Sequence, residues 1–463
     1  MIPVVTPSEM GEVDRAAPEP TEVLIGRAGG AVARAALALL GGSYGRRVVV
    51  VAGKGNNGND GREAARRLRR RGVRVEVVAA GERSTLPVCD LIIDAAYGTG
   101  FRGDYAWPVA TEPSPVPPGR GATPVLAVDI PSGVDGLTGQ AAPDVGRADV
   151  TVTFAALKPG LLFEPGASRA GQVVVADIGL DVGTPRAHLL TEADVAGWWP
   201  SRPVTSHKWR SAVWVVAGTP GMGGAAALAS SGAQRAGAGY VRLSSPGGLS
   251  GSTVPVEVVQ HDLAAGNWSS AVVAGLDRFG ALVIGNGLGT DHPTRDQIRA
   301  VLASPQAASV PTVVDADGLT ALGPDAGGLV GARTVLTPHD GEFARLAGAA
   351  PGSDRLASAR DLATQMGCVV VLKGGPTVVA GPQGDVLVVA TGDARLATAG
   401  TGDVLAGIIG ALCARGLDPW RAAASGAFLH GQAAALGWRD GFVAGDLVDH
   451  LPEVLDRLTR SSA

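Results

Sequence analysis

The stretch Leu396 to Gly410, LATAGTGDVLAGIIG, combines residue types that could do chemistry. Small residues, Ala397 to Gly402, lead to one carboxylate, Asp403, and then to an apolar run that reads as a buried helix. A glycine-rich turn feeding a helix start aims backbone N–H groups into one concavity, and the helix dipole adds partial positive charge there. Such a place suits phosphate. A lone carboxylate beside it could act as base for a nearby hydroxyl, or it could simply cap a core helix; this stretch alone leaves both open. Upstream, Cys368 to Leu372 reads as a strand that runs into Lys373-Gly374-Gly375-Pro376-Thr377. That segment offers an ammonium and backbone N–H groups to a nucleotide phosphate. With two anion seats, Asp403 could deprotonate a hydroxyl or guide phosphoryl transfer, where catalysis is mainly positioning and electrostatics. His339 stands in the loop Thr337-Pro338-His339-Asp340-Gly341-Glu342 rather than on an apolar face, and is the histidine singled out for function.

A second constellation lies in the first half. The apolar run Arg47 to Ala52 reads as a central parallel strand. Gly53 to Gly61, GKGNNGNDG, is expected as a sharply folded loop, and a helix from Arg62 to Arg71 should follow it. The pattern is neither a dinucleotide fingerprint nor a Walker A loop. Its asparagine amide oxygens suit hard cations and ribose or amide groups. Asp94 and Asp129 each end a predicted strand, on the edge where α/β sheets bind ligands, and make a cation and polar-ligand cluster plausible there.

The elements that must position these residues follow a repeating rhythm of strand end, glycine, polar residue. Right-handed crossovers place every such loop on one edge of a parallel sheet. The 463 residues suffice for roughly three average domains or two larger ones. Gly (68) is abundant while aromatics make up 4%, which suits tight turns and close helix–sheet packing. A change of character from His188 to Pro203 sets the expected boundary near Leu190, giving domains 1–190 and 191–463. The Pro-rich segment Thr111 to Gly121 has little helix character. The net charge of -4 supplies no electrostatic reason to expect nucleic acid or an anionic membrane. Cys89, Cys368 and Cys413 lack metal-site or disulfide spacing and read as buried thiols. Neither a signal peptide nor a membrane span is legible, so a cytoplasmic protein is expected, and a homo-oligomer.

These residues carry a resemblance. SHKWRSAVWVVAGTPGMGGAAALAS, RAGAGYV, IGNGLG, TPHDGE, LKGGPTVV and ATAGTGDVLAGIIGALCARG occur in the order found in ADP-dependent NAD(P)H-hydrate dehydratases of the ribokinase-like superfamily. VVVVAGKGNNGNDG, DAAYGTGFRG, DIPSGVDGLTG and TFAALKPGL resemble the NAD(P)H-hydrate epimerase family. The resemblance covers nearly the whole chain. It implies an α/β fold in two domains, a Rossmann-like three-layer αβα domain followed by a ribokinase-like αβα domain. It implies repair: the first half interconverts the epimers of hydrated NAD(P)H. The second uses ADP to make the hydroxyl of the S form a phosphate leaving group, restoring NAD(P)H with AMP and phosphate. It further implies that Asn56, Asn57, Gly58, Asn59 and Asp60, with Gly98, Thr99, Gly100, Phe101, Arg102, Gly103 and Asp104, hold the hydrate. Asn57, Asp94 and Ser132 would coordinate K+. Asp129 would contact substrate and is the residue chosen for acid/base work, with Lys158 as helper or phosphate contact. In the second half Ala225, Gly289, His339 and Asp403 would contact the hydrate. Lys373, Gly374, Gly375, Pro376, Thr377 and Gly402 would hold ADP, which brings Mg2+.

Three positions depart from the family pattern. Asn59 replaces a glycine, and should preserve the loop if positive φ is needed. Asp340 replaces a proline, and should add charge and loosen its loop. Leu24 to Gly29, LIGRAG, lacks a glutamate. A small-molecule kinase on the same fold, or a non-catalytic binding scaffold, are the alternative readings.

Overall fold

The computed structural model describes residues 1–100, 105–110, 123–142, 144–249 and 254–460. They form two compact units, one from Ile2 to Pro185 and one from Arg186 onward. The division precedes Leu190 because Ala187–Leu189 pairs in parallel with Val386–Val388 and is therefore a strand of the second unit. Leu190 itself belongs to that unit's apolar core.

The first unit is built on a parallel sheet. In spatial order its strands are Arg74–Ala79, Arg47–Ala52, Leu91–Ala95, Val125–Val128, Val150–Phe154 and Gln172–Ala176. Successive strand residues face opposite sides, and a parallel sheet must be covered on both. Val48, Val50 and Ala52 therefore join one core with the helices Thr21–Leu40 and Asn56–Arg70. Val49 and Val51 join a second core with Leu86, Cys89 and Tyr105. This two-sided burial is why RVVVVA is apolar almost throughout. The helix Thr21–Leu40 is long and apolar enough to cross a membrane by length and composition. Its Ala28, Val32 and Ala36 are instead committed to the core under the sheet.

The segment expected as a loop through Gly61 is a loop only to Gly55, because the helix runs Asn56–Arg70. Asparagine and glycine are poor helix formers, so tertiary packing decides. A Cβ on Gly58 would lie 2.0 Å from the Gly53 carbonyl oxygen, and one on Gly61 would lie 2.4 Å from the Ala95 Cβ. The two glycines let the first turns of the helix rest directly on the strand ends. Asn59 is thus an ordinary helical residue, and no demand for positive φ arises there. Thr111 to Gly121 lies outside the described residues.

The second unit carries a larger sheet, in the order Ala187–Leu189, Val386–Val389, Thr377–Ala380, Val369–Leu372, Thr334–Leu336, Thr312–Val314, Ala281–Ile284, Ala212–Val216, Tyr240–Ser244, Val259–Gln260. Thr377–Ala380 runs antiparallel to both of its neighbours, and the other pairs are parallel. The helix Thr401–Ala414 is buried almost end to end against the helix Gly223–Arg235. Close approach requires missing side chains. A Cβ on Gly407 would lie 2.0 Å from the Ala229 carbonyl oxygen, and one on Gly232 would lie 2.4 Å from that of Val404. Cys89, Cys368 and Cys413 are free and buried, and burial pushes their thiols up to about 11, 12 and 12.

Gly407→Ala should destabilise the second unit by about 3 kcal/mol, because the clash is with backbone that cannot yield. Gly224→Ala, at a helix position with open space around it, should be neutral or stabilising. Calorimetric melting of the two variants checks the contrast.

Two candidate functional sites

In the second unit, consecutive strand ends deliver polar side chains to the start of the helix Thr401–Ala414. Asn286 follows Ala281–Ile284, Asp315 follows Thr312–Val314, Thr337 follows Thr334–Leu336 and Lys373 follows Val369–Leu372. Asp315 is fully buried and held from three sides. Its Oδ1 accepts from Lys373 Nζ at 2.7 Å and from Thr337 Oγ1 at 2.7 Å, while Oδ2 accepts from Asn286 Nδ2 at 2.9 Å. The same Asn286 amide donates to Asp403 Oδ1 at 2.7 Å. One NH2 group therefore bridges two carboxylates.

Asp403 is not the cap of its helix. Gly400, at φ 91°, holds that place, and Asp403 lies within the first turn with its carboxylate turned to Asn286. Burial raises its pKa to about 6; the Asn286 hydrogen bond pulls it down, Asp315 pushes it up and Lys373 pulls it down again. Burial would lower the Lys373 pKa, but the charges of Asp315 and Glu342 outweigh it and the net shift is upward. Lys373 is therefore a firmly charged ammonium in a nearly closed place. Glu342 Oε2 lies 3.8 Å from it and accepts from the His339 backbone N–H at 2.9 Å.

Gly402 comes to the same point: a Cβ there would lie 3.4 Å from Lys373 Nζ. Gly374, Gly375 and Pro376 form the turn into the strand Thr377–Ala380, and Thr377 Oγ1 donates to the Gly374 carbonyl at 3.2 Å. His339 has a structural task. Its Nδ1 accepts from the N–H groups of Gly341 at 3.0 Å and Glu342 at 3.3 Å, capping the helix Asp340–Ala347. Asp340 does not loosen this loop. It forms a two-pronged ion pair with Arg355, at 2.8 and 3.1 Å, that ties the loop to the helix Arg355–Met366. Ala225 lies in the helix Gly223–Arg235. The Gly289 N–H donates to Asp317 Oδ2 at 2.8 Å, and Gly289 lines a pocket of about 320 Å3 with Thr219, Trp268 and Thr294. His430 is a satisfied buried histidine. Its Nε2–H donates to the Thr401 carbonyl at 2.8 Å, and burial holds its pKa down to about 4.

In the first unit, a cavity of about 1150 Å3 opens at the strand ends. Asn56, Asn57, Asp60, Gly98, Thr99, Gly100 and Asp129 line it. Gly58 instead faces Gly53, and Asn59 Oδ1 accepts from Arg62 at 3.4 Å. Phe101, Arg102, Gly103 and Asp104 lie outside the described residues. Asp129 has φ 67°, a conformation costing about 1–3 kcal/mol that persists only when its surroundings enforce it. Lys158 Nζ and Thr153 Oγ1 do so, donating to Asp129 Oδ1 at 2.7 and 3.1 Å. Lys158 is 1% exposed, and its ammonium also donates to Thr153 Oγ1 at 2.9 Å and the Phe154 carbonyl at 3.0 Å. With three acceptors around it, Lys158 holds Asp129 and has no donor left for phosphate.

Asp94 and Ser132 meet directly: the hydroxyl donates to Asp94 Oδ1 at 2.6 Å and the Ser132 N–H to Oδ2 at 2.8 Å. Burial raises Asp94 to about 6 against these bonds. Both polar atoms of the Asn57 amide are buried without a partner among the described residues. Burial, then the charges of Asp129 and Asp14, push Asp60 up to about 8.

Sequence reading missed Asn286, Asp315, Thr337 and Glu342 as members of the second site. The signal was present, since Asn286, Asp315 and Thr337 come directly after a strand and its glycine or last apolar residue.

The model of the NAD(P)H-hydrate dehydratase family matches residues 213–457, and that of the YjeF-related protein N-terminus matches residues 21–88 and 81–160. The chain is 37% identical to the bifunctional NAD(P)H-hydrate repair enzyme of Moorella thermoacetica, over 98% of this chain and 97% of that protein. It is 39% identical to the enzyme of the same name from Mycobacterium tuberculosis, over 85% and 84%. A ribokinase-like superfamily protein from Enterococcus faecalis superimposes with a TM-score of 0.52 at 22% identity, over 60% of this chain and 99% of that one, a likeness of fold.

Replacing Asn286 by leucine removes a hydrogen bond that favours the ionised form of Asp403. The Asp403 pKa should rise above about 6, measurable by carboxyl-carbon NMR titration. An unchanged titration would show that the bridge carries no electrostatic weight.

Proposed function

The chain belongs to the family of bifunctional NAD(P)H-hydrate repair enzymes, and on that premise we propose how its two units divide the repair. The protein epimerises (R)- and (S)-NAD(P)H hydrate and dehydrates the S form to NAD(P)H, with ADP converted to AMP and phosphate. One observation supports the dehydratase assignment above the rest: the Asn286 amide that holds Asp403 beside the Asp315–Lys373 pair.

Dehydration proceeds in two stages. Asp403 takes the proton of the substrate hydroxyl while that oxygen attacks the terminal phosphorus of ADP. The new O–P bond forms as the bond to AMP breaks. Lys373, Gly402 and the N–H groups of the Lys373–Thr377 turn hold the nucleotide and meet the charge on the transferring group. The phosphate then leaves with the C–O electron pair, the adjacent carbon loses a proton, and the nicotinamide double bond returns. Ala225, Gly289 and the exposed edge of His339 position the hydrate. Mg2+ carried on the ADP phosphates suits the Glu342 carboxylate beside Lys373 and would neutralise charge there.

In the first unit, Asp129 carries a proton on the carbinolamine oxygen. Protonated, the hydroxyl leaves as water while the ring nitrogen lone pair forms an iminium ion, and water adds to the other face and gives the proton back. Lys158 holds the Asp129 carboxylate in place. Asn56, Asn57, Asp60, Gly98, Thr99 and Gly100 supply the walls for the hydrate. The orphaned Asn57 amide oxygen and the paired Asp94 and Ser132 oxygens would be an all-oxygen donor set. That set fits K+, which would fix the loops around the substrate.

Purified protein given ADP and hydrated NADH should restore reduced-nicotinamide absorbance; accumulation of a stable phosphorylated product would instead favour a small-molecule kinase. Asp403→Asn should cut dehydration by about a thousandfold and leave epimer exchange intact. Because Asp403 must be ionised to accept the proton, the dehydration rate should fall as pH drops through about 6. Asp129→Asn should remove exchange only. Loss of dehydration of the pure S epimer in that variant would contradict the division of labour.

A further inference from the structure

The peptide between Lys373 and Gly374 is held more firmly than a phosphate-binding turn requires. Three separate elements grip Lys373. Its ammonium meets Asp315, its N–H donates to the Pro338 carbonyl at 2.9 Å, and its own carbonyl accepts from Arg355 at 2.9 Å. Arg355 is the first residue of the helix Arg355–Met366, and the ion pair to Asp340 fixes its guanidinium plane. Its side chain is 20% exposed, so the carbonyl contact lies in a sheltered place.

A trans peptide points its C=O and the following N–H in opposite directions. Drawing the Lys373 carbonyl toward Arg355 therefore turns the Gly374 N–H away from it. That N–H has no acceptor among the described residues. Gly374 itself sits at φ 159°, and a Cβ there would come 2.9 Å from the Arg355 guanidinium. The turn is thus pressed against Arg355 on one side and offers a free donor on the other.

We propose that Arg355, oriented by Asp340, is a positioning residue for the nucleotide: by holding the Lys373 carbonyl it presents the Gly374 N–H to a phosphate of ADP. This rests on the reading of Lys373–Thr377 as the nucleotide turn. Asp340, where the family pattern has proline, thereby contributes to nucleotide affinity in this chain. Arg355 acts through the backbone and does not touch the phosphate.

The test is steady-state dehydration and direct calorimetric titration with ADP, using the full chain. Arg355→Ala should raise KM for ADP about tenfold, the loss of one hydrogen bond from a charged donor. The kcat and the KM for the hydrate should hardly move, and Arg355→Lys should recover part of the loss. Asp340→Asn should weaken ADP binding a few-fold; tighter binding would mean that a freed Arg355 reaches the phosphate itself, and would overturn the proposal. The double variant Asp340→Arg/Arg355→Asp keeps an ion pair but sets a carboxylate against the Lys373 carbonyl. ADP affinity should stay low in it, and full recovery would show that the ion pair alone matters. A parallel fall of kcat with unchanged KM in Arg355→Ala would mark a merely structural role. Lys373→Gln separates the two levels. If it leaves ADP affinity unchanged, the nucleotide turn itself is misassigned; if it weakens binding while Arg355→Ala does not, only the positioning role fails.

Discussion

The second unit depends on satisfying one buried carboxylate, Asp315. Burying a carboxylate costs several kcal/mol unless it is paired and hydrogen-bonded. Lys373, Thr337 and Asn286 supply those donors, each from a different strand end. Satisfying Asp315 thus fixes the relative positions of the loops that form the site. Asn286 uses its second hydrogen to hold Asp403, and Lys373 brings an ammonium to Gly402. The groups assigned to proton transfer and to nucleotide binding are therefore oriented by an interaction that neither ligand takes part in.

The first unit solves a related problem differently. Asp129 stands at positive φ and is stabilised by Lys158, a lysine with almost no exposure whose donors are all consumed inside the protein. The strain and the buried ion pair belong together: the backbone turn brings the carboxylate to the cavity, and the ammonium holds it there. Around it, the Asn57 amide has no hydrogen-bond partner among the described residues on the cavity wall, a polar group whose burial is offset when a ligand or ion arrives.

Glycine connects both units to their sites. Gly58 and Gly61 bring the helix Asn56–Arg70 onto the strand ends, and Gly232 and Gly407 let two helices pack backbone to backbone beneath Asp403. Their role is space in each case, so the same residue type that reads as a loop in the sequence forms helix in the structure. The expectation of a loop through Gly61 failed for this reason: helix propensity is local, whereas the fit against Gly53 and Ala95 is not.

By itself, the amino-acid sequence determined the two α/β units, the strand ends that carry Asp94, Asp129 and Lys373, and the buried helix after Asp403. These follow from short apolar runs and the glycines that punctuate them, which are local properties. The same motifs sufficed to identify the family and the repair reaction. Only the tertiary structure decided that Asp403 is a bridged carboxylate rather than a cap, that Lys158 is consumed by Asp129, and that Asp340 tightens its loop through Arg355. It also brought Asn286, Asp315 and Thr337 into one network. Pairings between residues far apart in the chain leave no trace in local pattern, and a buried charge chooses its partners only once the sheet has set the strand ends side by side.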